Sequence, residues 1–300
     1  MNPSTSLRIL MLCDDSRAHA DTVLEHLAAF RRYSMHRIAF FNPMGVSDSA
    51  HLDLNAFDAV VIHYSLVITA DGYISPAIRE KIRSYDGLKI QFLQDEYRWV
   101  DDITEMMRYL EIDLLFSIVP EREIEKVYGA RLPDTEIVPT LAGYVPEKLA
   151  HLRRAPIATR SIDVGYRGRV LPYWNGALSQ EKVWIARGFL ARVGETELRH
   201  DVAWGENDRI YGAKWHRFLA SSRTTLGSES GTSITDFDGS VEAAVTAYLV
   251  ERPGATFEET SRAVLAGTEG NVMMNVVSPR LFEAAAIGTG MVLFPGEYGG

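Results

Sequence analysis

Short unbroken apolar runs alternating with amphipathic stretches constrain this chain more than any other feature. Residues 7–13 (LRILMLC), 36–41, 57–63 (FDAVVIH), 88–93 (LKIQFL), 114–119 (LLFSIV) and 136–138 read as strands. Between them, 22–30 places Val23, Leu24, Leu27 and Phe30 on one helical face, and 76–84 and 103–110 are further helices. Strands that are apolar throughout, separated by helices, predict a parallel sheet covered on both faces. Right-handed crossovers make it doubly wound.

The pattern breaks at 139–156, PTLAGYVPEKLAHLRRAP, which carries three prolines and a basic cluster of Lys148, Arg153 and Arg154. It reads as a linker with a short helix at 147–152, dividing the chain into domains 1–150 and 151–300. A second series follows. Strands are predicted at 162–166, 198–204, 224–226 and 291–294, with helices at 179–193, 209–220, 241–251, 257–265 and 278–287. Ser278 is placed to cap the last helix, Pro279 suits its first turn and Gly288 its end. The fold class is therefore α/β, with two Rossmann-like doubly wound parallel-sheet domains facing a cleft. The sequence stops at PGEYGG straight after a strand, so the second domain is expected to be incomplete at its C-terminus.

Lys plus Arg number 31 and Asp plus Glu 40, a formal charge of -9. That balance argues against nucleic acid as a general partner, because phosphate contacts need clustered positive charge. The single cysteine, Cys13, lies in an apolar run and reads as a buried inert thiol. No signal peptide or bilayer-spanning run is evident, so the expectation is a cytoplasmic protein, with a peripheral membrane contact left open.

Ligands of open parallel sheets bind beyond the carboxyl ends of the strands. In the first half those ends carry Asp14, Asp15 and His19, then His63, then Gln94-Asp95-Glu96, then Pro120-Glu121-Arg122. These serve as ligand contacts or as ordinary loop polar residues. Asp95 and Glu96 suit hydroxyl binding or proton transfer, or equally the capping of the next helix. In the second half Gly165, Arg167, Gly168 and Arg169 sit where a strand leaves the sheet, with Lys182 near the start of the next helix. Glycines admit a ligand close to backbone, and the cations suit phosphate oxygens. The alternative is a surface arginine pair. Glu229 lies mid-loop in 227–231 (GSESG), which reads as a ligand cradle or a plain flexible loop. Asp236-Phe-Asp238 reads as a helix entry. The scattered histidines give no metal-ligand spacing, so no metal is expected. The five tryptophans read mostly as core or packing residues.

The segment 281–294, LFEAAAIGTGMVLF, resembles the donor site of retaining glycosyltransferases of the GT-B fold, group 1, in the branch of surface-polysaccharide and spore-maturation enzymes. The resemblance implies a nucleotide-sugar donor, a saccharide or lipid-linked acceptor, and no cofactor or metal. It implies that Glu283 binds ribose from a helix opened by Ser278 and Arg280. It also implies that Arg169 and Lys182 neutralise the diphosphate. The partner of Glu283 in the family's E-x7-E motif falls at Asn275, which keeps hydrogen bonding without charge. For the catalytic histidine that some relatives carry in the first domain, His19 and His63 are the candidates. A nucleotide-sugar epimerase or hydrolase, with Asp95, Glu96 and Glu229 as its acids and bases, is a second reading. A non-catalytic nucleotide-sugar-binding protein is a third.

Overall fold

The computed structural model describes residues 6–16, 21–48, 50–194 and 196–299. The chain divides into two compact units, 1–140 and 141–300, so the division falls inside the proline-rich segment. His19 lies outside the described residues.

The first unit is one parallel sheet in the order β2-β1-β3-β4-β5-β6. Its strands are β1 (Arg8–Leu12), β2 (Arg37–Phe41), β3 (Ala59–Ile62), β4 (Leu88–Phe92), β5 (Leu114–Ser117) and β6 (Glu136–Pro139). The crossovers include α1 (Asp21–Tyr33), α2 (Pro76–Arg83), α3 (Val100–Leu110) and the single turn α4 (Glu121–Ile124). Ile9, Met11, Ala59 and Val61 meet Leu27 of α1 on one face, while Leu10, Leu12, Val60 and Ile62 are buried on the other. This double burial is why 9–12 in β1 and all of β3 are unbroken apolar runs. Cys13 belongs to the first cluster, and burial pushes its thiol up to about 12.

The second unit opens with α5 (Glu147–Ala150) and holds a parallel sheet in the order β10-β9-β7-β8. These strands are β7 (Ile162–Arg167), β8 (His200–Ala203), β9 (Ser222–Gly227) and β10 (Gly290–Leu293). Helix α6 (Ala177–Val193) covers one face through Ala186 against Val164, Tyr166 and Leu226. On the other, α7 (Gly212–Ser221) and α10 (Pro279–Ile287) bring Trp215, Phe218, Leu219 and Ile287 together with Leu149. Helices α8 (Ser240–Glu251) and α9 (Phe257–Thr260) build a satellite core around Ile234, Val245, Phe257 and Leu265. The helix expected over 257–265 changes to a π-helical turn at Ser261–Leu265. Asp236 enters α8 by accepting from the amides of Gly239, Val241 and Glu242.

Gly165 in β7 is required by packing. A Cβ there would lie 2.3 Å from Ser222 Oγ and 2.9 Å from Phe218 Cζ. Gly165→Ala should therefore lower unfolding free energy by roughly 1–3 kcal/mol, read from urea denaturation. An unchanged midpoint would show that α7 gives way freely.

Candidate functional site

In each sheet the chain reverses its direction of winding once. In the second unit it runs from β7 to β8 on one side, then to β9 and β10 on the other. In the first it runs from β1 to β2, then from β3 to β6. The switch points lie between β7 and β9 and between β1 and β3, where open α/β sheets leave a crevice at their carboxyl ends.

Beyond β7 the chain's own geometry separates two arginines. Arg167 is spent on structure. It bonds the carbonyls of Asp208 and Asp201, ion-pairs with Asp201 at 2.9 Å and lies 4.6 Å over the Phe218 ring. Arg169 is exposed and makes no hydrogen bond or ion pair among the described residues. Gly168 between them is fixed by packing, since a Cβ would sit 2.9 Å from the Lys182 carbonyl oxygen. That carbonyl accepts from Tyr166 Oη at 2.8 Å, locking α6 to β7. The α6 amino terminus is occupied from within, as Glu269 accepts from Ala177 N at 3.1 Å and Ser233 Oγ accepts from Leu178 N. Its leading amides are thus not open to a phosphate, which narrows the expectation placed on Lys182 to its side chain.

The start of α10 meets the same edge. Ser278 occupies the cap position but its hydroxyl makes no capping bond, whereas Gly288 ends the helix in a left-handed turn as expected. Arg280 donates to the Arg167 carbonyl and lies 5.1 Å over the Trp215 ring. Trp215 Nε1 donates to Glu283 at 2.6 Å, and His216 Nε2 stands 3.5 Å from the other carboxylate oxygen. Glu283 is thus buried and rigidly aimed. Trp215 and His216 were missed from sequence, although an adjacent aromatic pair in an amphipathic helix was the available signal.

Beyond β9 the glycine-rich segment is neither an open cradle nor a flexible loop. Ser230 and Val276 exchange backbone bonds of 2.8 and 2.9 Å, and Gly231 leaves no room for a Cβ against Met274. Glu229 is buried, with the Tyr298 amide on one oxygen. Asn275 is buried and donates to Glu297 at 3.2 Å. Burial, and then the charge of Glu229, push the Glu181 carboxyl up to about 7. Its Oε2 is buried with no hydrogen-bond partner among the described residues. The Tyr298 phenol rises to about 12, by burial and the same two carboxylates.

At the first unit's switch point, Asp14 N donates to Ser65 Oγ, which lies 2.9 Å from His63 Nδ1. The Ser65 amide also donates to that nitrogen, so Nδ1 is unprotonated and Nε2–H donates to His26 Nδ1 at 2.9 Å. His63 is wholly buried and meets His26, whose own pKa is lowered by burial. His26 was missed; it lies three residues after Val23 and four before Phe30, on the inward helix face. Asp95 is exposed, but Glu96 is buried, accepting from Ser117 Oγ, Tyr128 Oη and Ile118 N. Burial raises its pKa in spite of those bonds. Glu96 therefore anchors the loop and presents no carboxylate to a ligand. Among the described residues no cluster is arranged to hold a metal ion, and no helix is long and apolar enough to cross a membrane.

No protein-family model matches the chain, and no curated protein matches it. Several solved structures do. An alpha-glucosyltransferase in complex with UDP and a 13-mer DNA containing a HMU base matches at 11% identity over 76% of each chain, with a TM-score of 0.47. An alpha-glucosyltransferase with UDP-glucose and DNA containing an abasic site matches at 12% identity over 76% of each chain, TM-score 0.46. The DNA in those complexes corrects one expectation. Nucleic acid is not to be struck out as a partner on whole-chain charge, because net charge does not describe a local surface.

Two measurements check this geometry. The folded Glu181 carboxyl titrates at about 7 against an ordinary 4.5, so the folded state keeps its proton to higher pH than the unfolded chain. Unfolding free energy should then fall as pH rises through that window, and Glu181→Gln should flatten the slope in denaturant titrations. A rising slope in the wild type would refute the assignment. Tyr128→Phe removes one donor from the buried Glu96 and should cost about 1.5–3 kcal/mol, again from denaturant titration.

Proposed function

We propose that the protein is a glycosyltransferase that takes its sugar from a nucleotide-sugar bound at the β7–β9 switch point of the second unit. What supports this reading is that the segment after β7 carries Arg169 without a hydrogen bond or ion pair among the described residues, and that α10 meets the same segment, with Arg280 donating to the Arg167 carbonyl and Glu283 fixed by Trp215. A diphosphate needs cations that are not already neutralised, and Arg169 is one. A ribose needs an oriented acceptor, and a carboxylate that already accepts a hydrogen bond from Trp215 Nε1 still has lone pairs for two hydroxyls. When the anomeric bond breaks, its electrons go to the diphosphate oxygen. Arg169, Arg280 and the Lys182 side chain then stabilise that charge without a metal. The acceptor oxygen forms the new bond to the anomeric carbon, and its proton passes to the departing diphosphate oxygen that has received the electron pair. Retention of configuration and a saccharide or lipid-linked acceptor in cell-surface polysaccharide synthesis follow the sequence resemblance.

Glu96 and Glu229 are both buried and bonded, which removes most of the acid–base set an epimerase or hydrolase would use. Binding without turnover is favoured by one observation, the neutral Asn275 where the resemblance implies a carboxylate. Incubation with UDP-glucose and other nucleotide sugars, with and without saccharide acceptors, separates the two, since only a transferase releases nucleotide in step with acceptor.

Calorimetry with UDP and uridine tests the site itself. Arg169→Ala should weaken UDP at least about tenfold while leaving uridine unchanged, because one charge-assisted bond is worth roughly 1.5–3 kcal/mol. Glu283→Ala should weaken both. Equal losses of both ligands in Arg169→Ala would mean the arginine is structural.

A further inference from the structure

Two residues of the loop after β4 hold a backbone conformation that suits glycine or asparagine. Asp95 has φ 57° and Trp99 has φ 55°. For a bulky residue this is a true outlier, sustained only when the surroundings impose it. Here they do. Glu96, between the two, is pinned from beneath by Ser117, Tyr128 and the Ile118 amide, and Val100 is buried at the start of α3. With 96 and 100 drawn in, 95 and 99 are turned out.

The result is a presented indole. Trp99 is 41% exposed, and its ring and N–H have no hydrogen-bond or ring partner among the described residues. The other four tryptophans are packed in or against core clusters, and Trp99 is the exception. It serves neither the core nor the backbone. The loop lies at the carboxyl end of β4, beside β3, whose end carries His63.

We infer that this loop is a carbohydrate platform: the Trp99 indole takes the apolar face of a pyranose ring, and the Asp95 carboxylate accepts hydroxyls of the same saccharide. The polarised C–H groups of a sugar face meet the negative face of the ring, as cations do. An ionised carboxylate has lone pairs for two hydroxyls. Charge chooses the saccharide over a nucleotide or nucleic acid. Of the carboxylates in 94–102, Glu96 is buried and Asp101 is paired with Arg131 at 2.6 Å, which leaves Asp95 and Asp102 exposed against Arg98, a net negative surface that favours a neutral polyol over a phosphate. The inference does not depend on the nucleotide reading of the second unit. If that reading holds, the platform is where a saccharide acceptor is gripped.

The test is a glycan array probed with the intact chain and three variants. Wild type should retain a defined subset of glycans. Trp99→Gly keeps the left-handed backbone and deletes the ring, so it should lose at least tenfold in retention while its melting temperature holds or rises. Trp99→Phe should recover part of the binding, and Asp95→Asn, which tolerates the same backbone, should weaken it without destabilising the fold. Retention of no glycan by wild type would overturn the inference, as would equal retention by Trp99→Gly. Trp99-dependent retention of single-stranded DNA in place of glycans would overturn it too. UDP binding, measured on the same protein, reports the second unit separately and can fail while the glycan result stands.

Discussion

Parallel strand pairing is the constraint from which the rest of this structure follows. Every pairing between named strands is parallel, so each strand must be followed by a crossover that carries the chain back across a face of the sheet. Crossovers cover both faces and leave only the strand ends open. They also force one reversal of winding in each sheet, and the reversal leaves a crevice at the carboxyl edge. The polar residues that interrupt the apolar runs are therefore gathered at two places before any chemistry is considered.

At those places neighbouring residues of one type do opposite work. Arg167 is consumed by Asp201 and Phe218, whereas Arg169, two residues on, stays without a partner among the described residues. Asp95 faces solvent and Glu96 faces the protein. In each pair the inward member fixes the backbone from which the outward one projects. A buried charged residue with all its bonds made is costly to disturb, so the exposed neighbour is held in a narrow range of positions.

The sequence carried the strands because burial on both faces writes itself as unbroken apolar runs, and most strand and helix limits moved by one to three residues in the structure. Strand β9 begins two residues earlier than its apolar run, since Ser222 is buried with its hydroxyl bonded to Phe218. Side-chain direction in the loops was not legible. Nothing in R-G-R or D-E tells which member turns inward; that depends on Asp201, Ser117 and Tyr128, all distant in sequence. The same holds for Gly165 and Gly168, which read as room for a ligand and prove to be room for Ser222 and α6. His26 and Trp99 were hidden differently, one inside an amphipathic pattern and one behind the general rule that tryptophans pack.

The central claim is that the β7–β9 crevice of the second unit binds the nucleotide portion of a sugar donor. Hydrogen–deuterium exchange of the intact chain, with and without UDP-glucose, GDP-mannose and ADP-glucose at saturating concentration, tests it most directly. At least one donor should slow exchange in the segment after β7 (168–176) and at the start of α10, with the amino ends of the same strands unchanged. Protection confined to other segments, or no protection by any of the three, would contradict the account.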